Sequence, residues 1–258
     1  MSAIGRKRTY RLNVSMSTIT RTTFFSLLSF ILLGCSILPK IDEDILPTTA
    51  RVGVVSLIYN YMDFVKLSGV PIYSYYDKSH NVFDWKMDKY VQSSTAEQLK
   101  ERFDVIDIAY NTAKLKKGFN NTNPYTGLPI FYINSEEIKQ EFKRIVSVYD
   151  LDAIIVVSQT FTKPSSFYKP YAYGLAYKKL LREKIVSFAA ISFRIYDANT
   201  LHIMALSENI ESYITVEGLP IYRLFNDYSD EEKDVLKRWV GKAFDSTISS
   251  AISKLKLN

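Results

Sequence analysis

One cysteine in 258 residues leaves the chain unable to close a disulfide within itself, so its stability must come from an apolar core alone. Histidine is nearly as scarce. His202 alternates with Leu201 and Ile203 in a strand-like run, His80 sits in Ser79-His80-Asn81, and nothing in their spacing points to a shared metal site. The chain has no glycine-rich phosphate loop, no serine nucleophile elbow and no helix with paired metal ligands, so no catalytic residue, metal or cofactor is assigned. The acidic pairs Asp104/Asp107 and Asp150/Asp152 fall at strand ends and read as solvated caps rather than as a catalytic dyad. A long apolar run is missing too. The longest, residues 24–33, is about ten residues, roughly half of what a membrane-spanning helix needs.

What is there is placed at the end of that run. Leu32-Leu33-Gly34-Cys35 closes a ten-residue stretch of signal-peptide length, with small Gly34 just before the cysteine. It resembles a bacterial lipobox. That resemblance implies cleavage between Gly34 and Cys35, a diacylglycerol thioether on Cys35, and a lipid bilayer as the first partner. Residues 1–34 are then a signal peptide, with Met16 an alternative start. Arg6, Lys7, Arg8, Arg11 and Arg21 lie in this leader with no acid among them, so removing these five charges lowers the formal net charge from +6 to +1. The basic pI belongs to the leader, and nucleic acid is not an expected partner. Ser36 rather than Asp follows the cysteine, which favours the outer membrane, facing the periplasm.

Residues 35–50 carry two prolines and three acids without a sustained period and read as a lipidated tether. Residues 51–258 read as one α/β domain. Arg51 to Tyr59 is a β-branched run suited to a buried strand. Residues 60–90 read as a long loop or an inserted hairpin. Ser94 with Glu97 makes a capping-box signature for a first helix, and residues 103–109 read as a strand. Residues 111–134, rich in Gly, Asn and Pro, read as a loop. Asn134 or Ser135 caps a second helix with Ile138, Phe142, Ile145, Val146 and Tyr149 on one face, followed by a strand at 153–157. Residues 171–177 alternate bulky with small side chains, and 185–196 and 201–210 form a hairpin around Asp197-Ala198-Asn199-Thr200. Ser229 with Glu232 caps a long C-terminal helix whose apolar residues recur every three or four positions. Gly-x-Pro-Ile-aromatic recurs at 69–73, 127–131 and 218–222, spaced for connectors rather than a solenoid repeat.

The expected fold is α+β, a mixed β-sheet with helices packed on it and a long C-terminal helix. Residues 52–57, 99–107, 151–157 and 191–200 resemble the envelope proteins related to the N-terminal domain of TolB, the curli-secretion lipoprotein CsgG and the lipoprotein LpoB that activates a peptidoglycan synthase. Ser158 stands where that family commonly has Gly, and 60–90 and 111–134 are longer than usual. The resemblance implies a TolB N-terminal-like sandwich and transfers no activity, because the matching positions are core positions. For a partner surface the candidates are Tyr168, Tyr171, Tyr173 and Tyr177, with Phe167, Lys169, Lys178, Lys179 and Arg182 beside them, since tyrosine joins apolar area to a polar tip. The same rings could instead cover the sheet. Two functions follow: a non-catalytic envelope lipoprotein that docks another envelope protein, and a hydrolase or ligand-binding lipoprotein acting on wall polymer, with enzymatic activity left open.

Overall fold

Val- and Ile-rich runs line up end to end in the computed structural model, which describes residues 45–68, 74–120, 135–160, 172–179 and 183–257. In chain order the elements are β1 (Arg51–Leu57), β2 (Tyr61–Ser68), β3 (Ser74–Asn81), α1 (Met87–Leu99), β4 (Asp104–Ile106), α2 (Thr112–Asn120) and α3 (Glu136–Tyr149). Then follow β5 (Ala153–Gln159), β6 (Tyr173–Lys179), β7 (Glu183–Asp197), β8 (Ile203–Thr215) and α4 (Asp230–Lys254).

All eight strands join one mixed sheet. β7 is its long axis. β8 pairs antiparallel along one side of it, while the other side takes β6 opposite residues 183–189 and β5 opposite residues 191–197. β5 and β6 are therefore collinear, and Ala190 bridges the gap: its N–H donates to Ala172 C=O (2.8 Å) and its C=O accepts from Thr160 N–H (3.0 Å). Outside this line runs a second one, with β1 parallel to β5 and β2 parallel to β6. β4 flanks β1, and β3 flanks β2. The sheet thus has a proximal half (β1, β4, β5) and a distal half (β2, β3, β6), joined through β7.

Period-2 alternation sends Val52, Val54, Ala153, Ile155 and Val157 to one face, and Val55, Leu57, Ile154 and Val156 to the other. The first face is covered by α1 and α4, through Val91, Leu99, Leu236, Val240, Phe244 and Ile248. The second carries α2 and α3, through Leu115, Ile138, Phe142 and Ile145. With both faces covered, β1 and β5 must be apolar along most of their length, as residues 52–55 and 153–157 are. In the distal half Phe225 and Tyr228, just before α4, close the first face over Phe64. On the second face Val65, Ala176 and Phe188 form a small buried cluster of their own.

The mixed sheet, its helices and the long C-terminal helix agree with the sequence reading. Ser229 accepts from Glu232 N–H and Glu232 accepts from Ser229 N–H, so the capping box forms. Residues 60–90 resolve into the β2–β3 hairpin and the start of α1. That helix begins at Met87, two turns before the expected Ser94, because its core face is Met87, Val91, Thr95 and Leu99, and a 3-10 turn at Phe83–Trp85 leads into it. Ser94 is no cap; its hydroxyl donates to Asp245 on α4 (2.6 Å). The strand expected at 103–109 shortens to β4, since Ala109 is drawn away by Tyr149 and Arg144 of α3. Part of the expected loop at 111–134 is α2, capped by Asn111, whose side chain accepts from Lys114 N–H (3.0 Å). Its Gly118 brings the backbone against α3, for a Cβ there would lie 2.4 Å from Ile138. Leu46 and Ala50 are buried in the core, so domain packing begins inside the stretch read as tether.

Candidate functional site

The two interrupted strand lines raise an accounting problem, because backbone groups at a break must find partners or be lost to water. Along the outer edge of β1, β4 supplies partners only as far as Ile106. Side chains then take over. Gln92 of α1 donates to Val54 C=O (3.1 Å), the Tyr110 hydroxyl accepts from Ser56 N–H (2.9 Å) and donates to Ser56 C=O (3.2 Å), and Lys116 of α2 donates to Ile58 C=O (2.5 Å). Along the inner edge, Tyr59 N–H donates to the Gln159 side chain (3.1 Å) and Tyr59 C=O accepts from the Tyr173 hydroxyl (2.7 Å). Burial pushes the Tyr110 hydroxyl up to about 12 and holds the Lys116 ammonium below its usual value, with the Asp88 carboxylate opposing the latter shift. The Lys116 ammonium also lies 5.0 Å over the Tyr59 ring.

Beside this seam, β4 and α1 part to leave an open groove of about 560 Å3. α1 contributes Lys89, Gln92, Ser93, Ala96 and Glu97, and Lys100 just past its end continues this stripe at helical spacing. Opposite stand Val105, Ile106, Asp107 and Ile108, with Val54 between the two walls. Glu97 and Lys100 pair with each other at 2.7 Å. No local pattern marks this groove, because a polar stripe on a surface helix reads as a solvated face, and half of the stripe lies before the helix start expected at Ser94.

The tyrosine surface needs correcting. Tyr173 and Tyr177 are fully buried on the face under α4. The Tyr173 ring lies 5.1 Å from Phe244, and burial raises both phenols above their usual range, with Glu183 adding to the effect at Tyr177. Alternation showed that one side of β6 was bulky, but period 2 does not say which side meets water. Tyr168 and Tyr171, together with Gly34 and Cys35, lie outside the described residues.

His80 and His202 do not converge: one is on β3 and the other precedes β8, at opposite edges of the sheet. The His80 ring lies 4.7 Å from Phe225. Among the described residues no group of three or more His, Cys, Asp or Glu is placed to hold a metal, and no helix is long and apolar enough to cross a membrane. Of the acids, Asp150 and Asp104 flank Arg51 at 2.7 and 3.7 Å, and Asp152 accepts from Arg51 N–H (2.8 Å). They fasten the starts of three neighbouring strands. Glu141 of α3 is a buried carboxylate held by Arg144 (2.8 Å) and Asn111 N–H (3.0 Å), and these bonds lower its pKa.

Fold and groove together define a mixed α/β domain with a cleft at one sheet edge. No family model and no curated protein matches the chain. Among solved structures it is similar to the PelC dodecamer of Paraburkholderia phytofirmans, at 9% identity and a TM-score of 0.39, over 83% of this chain and 91% of that one. It is also similar to lipoprotein GNA1162 of Neisseria meningitidis (12%, TM-score 0.33, 81% of this chain and 99% of that one). A third is the LpoB C-terminal domain of Salmonella enterica (8%, TM-score 0.27, 73% and 93%). The neighbours thus include a bacterial lipoprotein, and at these values the likeness says nothing of what this chain does.

Proposed function

We propose that the protein is an envelope lipoprotein, anchored through acylated Cys35 and facing the periplasm, that docks another envelope protein through its α/β domain without doing chemistry on it. The observation that carries this is Leu32-Leu33-Gly34-Cys35 at the end of a ten-residue apolar run. Ser36 favours the outer membrane, and the net charge of +1 after cleavage does not suit a nucleic-acid partner. With Leu46 packed in the core, a fully extended tether from Cys35 reaches ~35 Å, so the docking surface works close to the bilayer. A second reading, a wall-polymer ligand held by the domain, is favoured by the polar side chains that converge on the groove beside α1.

Mass spectrometry of the N-terminal peptide from native membranes tests the anchor. A peptide beginning at Cys35 with a diacylglyceryl thioether is expected, and lost in Cys35→Ala. An intact 1–34 segment with a free thiol overturns it. Crosslinking in the native envelope tests docking, and recovery of wall glycan with no protein adduct favours the second reading.

A further inference from the structure

β4 is the outermost strand of the proximal half, and its hydrogen-bond phase is set by the sheet. Asp104 N–H donates to Ala50 C=O (3.1 Å), with Arg51 opposite Asp104, Val52 opposite Val105 and Gly53 opposite Ile106. Asp104 and Ile106 therefore turn their main-chain groups toward β1, and alternation turns the N–H and C=O of Val105 outward. Val105 itself lines the groove, whose far wall is α1. An unpaired donor and acceptor along a strand edge, beside a helix, is the surface to which an extended segment adds as a further strand.

The opposite edge of the sheet differs. β8 is long but interrupted by a bulge between its pairings with Ile191 and Phe193, where Asn209 has φ +53, and Glu208 and Glu211 are exposed there. Charge and a bulge discourage edge pairing. At β4 the strand itself is straight but short, so one pair of main-chain bonds is available and the groove walls must supply the rest. Val54, Ala96, Val105 and Ile108 give those walls an apolar part, and the volume of about 560 Å3 falls in the range of ~300–1,000 Å3 usual for binding clefts. Lys89 and Lys100 balance Glu97 and Asp107, so the lining carries no net formal charge. A strongly charged ligand has no counter-field here.

We propose that the groove between α1 and β4 takes a short extended peptide segment of low net charge, from a partner protein, as an added strand paired to Val105. It rests on the docking function proposed above and names the surface and the chemistry of what docks.

The probe is a displayed library of random twelve-residue peptides, selected on the full-length protein in detergent. Selected peptides are synthesised and their affinities measured against wild type, Val105→Thr and Val105→Pro. Threonine keeps the outward N–H, whereas proline removes it and leaves the bonds from Asp104 and Ile106 to β1 in place. Near-neutral peptides that bind, lose at least tenfold in affinity with Val105→Pro, and change less than threefold with Val105→Thr are expected. Hydrogen exchange on the wild-type protein supplies a readout that survives misfolding of the proline variant: the Val105 amide gains protection when peptide binds. Peptides that bind equally well to Val105→Pro, an unprotected Val105 amide, or failure to recover any binding peptide would overturn the proposal. So would soluble wall oligosaccharide protecting Ser93 and Val105 while peptides do not. A Cys35 found unmodified in membranes would remove the lipoprotein reading and leave these binding results standing, so the two failures are distinguishable.

Discussion

The proximal and distal halves share β7, yet they are held differently. Around β1 and β5, helices cover both faces, and Phe142 meets Tyr196 on one side while Leu99 and Val240 lie buried on the other. Around β2 and β6, one face is closed by Phe225, Tyr228 and the stretch of α4 around Phe244, and the other holds the three-residue cluster of Val65, Ala176 and Phe188. The halves meet where Ile58 to Asn60 leave the ladder and Gln159, Tyr173, Tyr110 and Lys116 replace backbone partners with side chains. A sheet can thus be lengthened past a break at modest cost if every orphaned group is met, and the added half is then stabilised by fewer buried contacts than the first.

The largest effect is expected at Gly174, where β6 crosses close to β2. Its φ is +153, and a Cβ would fall 1.9 Å from the Asp63 carbonyl oxygen. Gly174→Val should cost about 4 kcal/mol or more and disrupt the β2–β6 pairing, read as a fall in the denaturant midpoint with early loss of protection in the distal half only. Tyr173→Phe is the next step down. It keeps the ring on Phe244 but removes the hydroxyl's bond to the Tyr59 carbonyl, which should cost about 0.5–1.5 kcal/mol in chemical unfolding; an unchanged midpoint would show that this bond does not hold the seam.

In the proximal half, Glu141 ties α3 to Asn111 at the head of α2, and the Arg144 bond lowers its carboxyl pKa. A depressed carboxyl stabilises the fold above its unfolded value near ~4.3 and loses that contribution as pH falls through the folded value. Glu141→Gln should therefore cost about 1.5 kcal/mol at neutral pH, with the gap to wild type closing in acid. A gap that stayed constant with pH would mean the carboxylate's charge is not what matters. The smallest expected change is Ser229→Ala, which removes the capping bond at the start of α4 and should cost about 1 kcal/mol by thermal unfolding.

The proximal half was legible in the sequence because burial on two faces writes itself as continuous apolar runs at β1 and β5, and the one-sided helices α3 and α4 write a stripe. In the distal half β6 was legible as a strand, while residues 60–90 read equally as a long loop or an inserted hairpin. β2 and β3 carry Tyr, Lys, Asp and Ser among their apolar residues, and a bulge between Phe64 and Val65 breaks the alternation that would betray them. α1 was legible but its start at Met87 was not, because the Ser94/Glu97 capping signature falls inside the helix, and α2 hid because Gly118 and its lysines resemble a loop. Alternation in β6 shows a bulky side without its direction, so surface and core stay open for Tyr173 and Tyr177 until the sheet places them in the core. The groove beside β4 depends on where α1 starts and on the hydrogen-bond phase of a three-residue strand, and no local pattern carries either.

Native-state hydrogen exchange at increasing denaturant decides whether the two halves differ as described. Amides of β1 and β5 should open only with global unfolding, while those of β2, β3 and β6 should share a lower opening free energy, with the boundary at Ile58 to Asn60. A single opening free energy across both halves would contradict it.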